Sequence, residues 1–298
     1  MPLVGPDRYG LGNIECRWYW QRCQRVVQVS IEMAMDSAID RPAAALQPGE
    51  RIVFHHIPKT GGTSVLNVLH SLFSSEQIVT DTTAAKVKAL PPDRRRQARI
   101  YSGHMAYHDV DAIPGRKRIL TFLREPSARI LSLYYFWRSM TDEFATGRPG
   151  PQIAKRSTLL DFLRNDEPIV RNHINNGLVR FFVPGGRNAA SKHMLTTPPQ
   201  DLAQQAFDRL RTYHFVGFQE RFDEDFEAML LSVGRSRQPA VRKNDLVSLH
   251  GSDPNFQKVE REPITPEIEE EMARLTAADS LFYRMAFEAR EELRPQLG

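Results

Sequence analysis

Between residues 51 and 138 the chain alternates short apolar runs with stretches in which apolar residues recur at helical spacing. Ile52, Val53 and Phe54 form the first run, and Val65, Leu66, Leu69, Leu72 and Phe73 give a helix from Thr63 through Phe73 one apolar face. A further strand begins near Ile100 and ends in Tyr101-Ser102-Gly103-His104, and another spans Ile119 to Leu123. Pro126 suits the first turn of a helix that runs to about Arg138. Strand alternating with helix predicts a parallel sheet covered by helices. Thr141 to Arg156, with Gly147, Pro149, Gly150 and Pro151, reads as a loop or lid. Ser157 to Phe182 reads as mainly helical, up to a break at Val183-Pro184-Gly185-Gly186-Arg187. Leu202 to Leu210 is a predicted helix, His214 to Phe218 a strand, and Pro266 opens a last helical region ending near Leu293.

The junctions carry the chemistry. In Phe54-His55-His56-Ile57-Pro58-Lys59-Thr60-Gly61-Gly62-Thr63-Ser64 an apolar strand meets a helix through a lysine and two glycines, which is the pattern of a phosphate cradle. Gly61 and Gly62 permit a sharp turn and close approach of an anion, and the new helix turns its positive end toward it. Thr60, Thr63 and Ser64 add hydroxyl donors. In the nucleotide P-loop, G-x-x-x-x-G-K-[ST], the lysine follows the last glycine, whereas Lys59 precedes both. The expected class is therefore α/β, with a P-loop-like central parallel sheet flanked by helices.

The second junction is Leu120-Thr121-Phe122-Leu123-Arg124-Glu125-Pro126-Ser127-Ala128-Arg129-Ile130-Leu131-Ser132-Leu133-Tyr134. Arg124 ends a buried strand, where such sheets bind ligands. Arg129 and Ser132 follow one and two turns into the helix, so one anion beside it could meet arginine and hydroxyl donors together.

Together these segments resemble the sulfotransferases that use 3′-phosphoadenosine-5′-phosphosulfate (PAPS). The first is similar to the family's 5′-phosphosulfate loop, in its carbohydrate branch related to heparan sulfate 2-O-sulfotransferases. The second is similar to its 3′-phosphate motif, R-[DE]-P-x-x-R-x-x-S-x-Y, met by Arg124, Glu125, Pro126, Arg129, Ser132 and Tyr134. Gly103-His104 resembles the Gly-His that supplies the base in that branch. Tyr213 to Phe222 resembles a late strand and helix of the family, and Asn175-Asn176-Gly177-Leu178-Val179-Arg180-Phe181 is loosely similar to a segment near the acceptor. The resemblance spans residues 50 to 290. It implies Lys59 at the bridging oxygen of the donor and Gly61 to Ser64 around the 5′-phosphate, with Arg124, Ser132 and Arg129 at the 3′-phosphate and His104 as base.

Histidine suits proton abstraction near neutral pH, and nine are present. His55 and His56 alternate along a strand, so at most one faces the site. Both read as packing residues, with His56 the better helper; His108 and His173 are candidate acceptor contacts. No H-E-x-x-H or C-x-x-C pattern suggests a metal, and sulfuryl transfer, unlike phosphoryl transfer from ATP, can proceed without magnesium.

Composition refines this picture. A chain of 298 residues, 41% hydrophobic, can bury one substantial core. Residues 1–48 read as a flexible N-terminal extension, with Met33 or Met35 as alternative starts, and 49–298 as one domain. Only Cys16 and Cys23 are present, and no apolar run would span a bilayer, so the expected setting is cytoplasmic and bacterial in style, with no membrane span. The net charge of +4 suits an anionic donor and an acidic or hydroxyl-bearing acceptor. Arg94-Arg95-Arg96 reads as a solvated loop, and no module suggests nucleic acid. In the polar stretch Gln238 to Lys258, Arg242, Lys243 and Asn244 are candidates to close over bound nucleotide. The expected acceptor is a macromolecular hydroxyl, a glycan being favoured by the resemblance to the carbohydrate branch and a peptide tyrosine the alternative. A magnesium-dependent nucleotide kinase and a non-catalytic PAPS-binding protein are the readings from other classes.

Overall fold

The computed structural model describes residues 47, 49–188, 190–234 and 252–293. Arg242, Lys243, Asn244, both cysteines and the extension up to residue 46 lie outside them.

The elements follow in the order β1 (Arg51–His55), α1 (Gly62–Ser71), β2 (Ile78–Val79), α2 (Ala84–Ala89), α3 (Pro92–Gln97), β3 (Ile100–Gly103), α4 (Tyr107–Ala112), β4 (Lys117–Leu123) and α5 (Pro126–Arg138). Then come α6 (Asp142–Ala145), α7 (Pro149–Arg156), α8 (Leu159–Leu163), α9 (Pro168–Ile174), α10 (Lys192–Thr196), α11 (Pro199–Leu210), β5 (Phe215–Phe218), α12 (Phe222–Ser232), α13 (Pro266–Leu275) and α14 (Ala277–Glu288). Five strands form one sheet in the order β2-β3-β1-β4-β5, and every pairing is parallel. Buried side chains cover both faces. Val53, Tyr101, Leu123 and Val216 point to a layer with Phe182 and Phe282, and Ile52, Phe54, Leu120 and Phe215 to one with Leu69 and Phe226. Near-continuous apolar strands are what a sheet buried on both sides requires.

The chain runs from β1 outward to one side through β2 and β3, then crosses to the other side for β4 and β5. The direction of winding reverses at β1, so a crevice opens beyond its carboxyl end, between the ends of β3 and β4. The loops leaving those three strands begin with His56, His104 and Arg124.

Three expectations need correction. Thr141 to Arg156 is not a loop but two short helices, of which α7 packs on α5 and α6 on α7. Pro149 opens α7 at a position where its missing N–H is harmless, and a Cβ on Gly150 would stand 2.7 Å from the Trp137 ring, so the glycine permits close packing. Arg94, Arg95 and Arg96 belong to helix α3. The stretch from Ser157 to Phe182 is broken into α8, α9 and a 3₁₀ turn at Val179–Phe181.

Candidate functional site

The β1–α1 loop owes its shape to two residues in the left-handed region, Lys59 at φ 69° and Gly61 at φ 83°. Such a conformation is unusual for lysine and turns its side chain away from the path of the strand. Thr60 is buried, and its hydroxyl donates to the carbonyl of Ile57 at 2.8 Å, so it shapes the loop from within. A Cβ on Gly61 would stand 2.1 Å from Gln219 Oε1, and one on Gly62 would stand 2.1 Å from His56 Cδ2. Gly61 is thus fixed by its neighbours as well as by the left-handed turn, and Gly62 by the His56 ring. Ser64 is buried in the first turn of α1, and Thr63 is half-buried.

The two sequence motifs meet here. Arg124 Nη1 donates to the carbonyl of Lys59 at 3.3 Å. Burial lowers the pKa of the guanidinium, and Glu220 and Glu125 oppose that shift. Lys59 Nζ lies 3.7 Å from the centroid of the Phe136 ring. Burial, then Arg124, brings its pKa down to about 7. Neither cation has an ion-pair partner within 4 Å among the described residues. Two such cations, joined by a hydrogen bond beside a glycine turn and a helix N-terminus, fit a phosphate-bearing ligand. Ser132 is half-buried on α5, one turn before Phe136.

Across the crevice, the His104 ring lies 4.5 Å from that of His56. The backbone N–H of His56 donates to Gly103 at 3.1 Å, tying the loop to the end of β3. Burial brings His104 down to about 3, with Arg187, His55 and Lys59 adding to the effect, and His56 lies well below its ordinary value for similar reasons. Both rings are neutral at pH 7. His173, brought to about 3 by burial and Arg187, is close enough to His104 for the two to repel when charged. His55 points to the opposite face, as the alternation requires, with Tyr213 Oη at 2.7 Å from Nδ1 and the Met105 carbonyl at 2.9 Å from Nε2.

Arg129 has a different place. It is fully buried, and Nη2 donates to the His173 carbonyl at 2.5 Å, with Gly177 packed against the guanidinium. Asp279 lies within electrostatic reach of it and accepts from the N–H groups of Leu178 and Val179 at 2.9 to 3.0 Å. Asn176 in turn accepts from Ala278 and Asp279. The Asn175–Arg180 segment is therefore docked on the first turn of α14, and Arg129 braces it from beneath. His108 is exposed, with Asp109 at 3.5 Å.

Three residues went unnoticed in the sequence. Arg187 follows a glycine break that carries no periodic signal, yet its charge depresses His55, His104 and His173. Phe136 was one aromatic among several on α5. Gln219 directly follows β5, and a residue just beyond a strand's carboxyl end is a detectable signal in this fold. Among the described residues no group of three or more His, Cys, Asp or Glu could hold a metal ion.

A parallel sheet with cations and a glycine turn at its reversal point defines a P-loop-like α/β protein whose crevice fits a phosphorylated ligand. Residues 43–274 match the sequence model of the sulfotransferase family, and the chain belongs to that family. Nothing in the match singles out the heparan sulfate branch. No curated protein matches the chain in sequence. Among solved structures, the mouse sulfotransferase SULT7A1 complexed with PAP (the desulfated donor) aligns with a TM-score of 0.40 at 12% identity, over 82% of this chain and 89% of that one.

Proposed function

We propose that the enzyme transfers the sulfuryl group of PAPS to a hydroxyl of a macromolecular acceptor, a glycan before a peptide tyrosine. The observation that supports this most is the 3.3 Å bond from Arg124 to the Lys59 carbonyl, which unites the two anion-binding motifs at one sheet edge opposite His104. PAPS supplies an activated sulfuryl group on a good leaving phosphate. Backbone N–H groups from Gly61 to Ser64 hold the 5′-phosphate, with Thr60 shaping their loop. Arg124 and Ser132 hold the 3′-phosphate, and Arg129, buried beneath, supports that helix rather than touching the ligand. Lys59 meets the bridging oxygen as the S–O bond breaks and charge grows on the leaving phosphate. His104 accepts the acceptor's proton as the new O–S bond forms, and His56 orients it. A bound donor places negative charge among Lys59, Arg124 and Arg187 and so raises the basicity of His104.

The peptide-tyrosine reading keeps one specific support. A base held near 3 in the free protein is weak, and a phenol surrenders its proton more readily than a sugar. The low cysteine content fits a reaction in a bacterial cytoplasm, with residues 49–298 as the catalytic domain. No described helix is long and apolar enough to cross a membrane.

Calorimetric titration with PAP and with ADP, both in chelator, tests the donor assignment. Micromolar PAP binding with weak ADP binding supports the 3′-phosphate pocket; equal binding rejects it. Transfer of labelled sulfate to glycans and to tyrosine peptides then separates the acceptors, and loss of activity in chelator with recovery in magnesium would indicate a kinase.

A further inference from the structure

Lys59 is expected to act as a cation, yet its surroundings oppose the charge. It is half-buried, and Arg124 lies close enough to repel it. Burial without compensation drives a lysine toward its neutral form. Among the described residues the group seen to favour the cation is the Phe136 ring, whose centroid lies 3.7 Å from Nζ, well inside the ~6 Å reach of a cation–π contact.

That ring is held in place. Phe256 packs on it with centroids 5.4 Å apart at 34°, and Phe144 supports Phe256 from the side at 5.7 Å. Phe256 itself is buried and forms an antiparallel bridge with Met140. Flanking bonds run from Thr141 N to Asn255 O at 2.8 Å and from Gln257 N to Ser139 O at 2.7 Å. An incoming strip of backbone therefore clamps the end of α5 and fixes the ring.

We propose that Phe136 is a positioning residue for Lys59, its ring face holding the ammonium over the donor loop and keeping it protonated. Its relevance to transfer rests on the role assigned to Lys59 above. A ring that merely filled space would act through its volume; a ring acting on the charge does so through the electron density of its face. Because Phe136 and Ser132 share one face of α5 a turn apart, a shift of that helix moves the lysine's support and the serine together.

The test separates shape from charge. Phe136 is replaced by mono-, di- and trifluorophenylalanine, which drain the ring face with little change of shape, and by Phe136→Leu and Phe136→Tyr. Lys59 is titrated by NMR of lysine labelled at Cε, its signal assigned with Lys59→Arg, and PAP binding is measured alongside. The midpoint of Lys59 is expected to fall stepwise with fluorine number, to fall by about one pH unit in Phe136→Leu, and to hold in Phe136→Tyr. An unchanged midpoint across the fluorine series overturns the proposal, whatever happens in Phe136→Leu. Absence of PAP binding by the unaltered protein would instead reject the donor assignment and leave the titration result standing on its own.

Discussion

In the proposed reaction Lys59 must carry a proton to meet a departing phosphate, and in the free protein burial and Arg124 bring its pKa to about 7. A ligand with two phosphates raises it again, so PAP binding should take up a proton between about pH 7 and 9, and affinity should fall as pH rises through that window. Calorimetry in two buffers of different ionisation enthalpy reads this uptake; buffer-independent heats at pH 8 would contradict it. Lys59→Ala should cut sulfate transfer by roughly 10²–10³-fold while weakening PAP much less, since the interaction matters most as the bond breaks. Arg124→Ala should weaken PAP by about 10- to 100-fold and ADP hardly at all. His104→Ala should lower turnover with PAP affinity nearly unchanged, and full activity in that variant would remove His104 as the base. The sequence made Lys59, Arg124 and His104 legible because each directly follows or nearly follows a strand. It hid the burial of Arg129, although a signal was there. Pro126, Ile130, Leu133, Tyr134 and Trp137 mark the inward stripe of α5, and Arg129 occupies a position within it.

At the scale of elements, the β1–α1 turn is shaped from outside as much as from within. A Cβ on Gly62 would enter the His56 ring, so Gly62→Ala must displace the histidine that lies 4.5 Å from His104. Turnover should fall while overall stability drops by only about 1–3 kcal/mol, the usual cost of overpacking. Activity assays paired with urea denaturation would show this, and unchanged turnover would mean that His56 does not orient His104. The strand–helix units from β1 to α5 were readable because their apolar runs are long and their helices periodic. α7 was not, because Pro149-Gly150-Pro151 has the composition of a breaker. Only the packed structure shows Pro149 as a helix start and Gly150 as a seat for Trp137. β2, two residues long, is below what any periodicity can reveal.

For the whole molecule, neutral histidines set the acid limit. His55 and His70 are brought to about 4, and His104 and His173 to about 3, mainly by burial. In the unfolded chain each titrates near 6.5. The unfolded state therefore binds more protons below that pH, and stability present above it is lost as pH falls from about 6.5 toward about 4. The melting temperature should drop by on the order of ten degrees between pH 7 and 5. A flat profile over that range would show that these histidines are not held neutral. Asp279 is the other global element. It stands near Arg129 and Arg180, both buried, and Asp279→Ala should cost ~3–5 kcal/mol by leaving their charges uncompensated.

The strand order has a consequence for synthesis on the ribosome. β1 lies at the centre of the sheet, yet both its neighbours, β3 and β4, come later in the chain, so the first strand made must wait for its partners. Lys59, His104, Arg124 and Phe136 have all emerged once α5 is complete, well before the last quarter of the chain. Asp279, which docks the segment braced by Arg129, arrives only with α14. A nascent chain halted after α5 would display the proposed donor-binding residues beside an open β4 edge, and exposed strand edges invite aggregation. Completion of α14 is thus the step that turns an assembled set of candidate ligand groups into a closed shape.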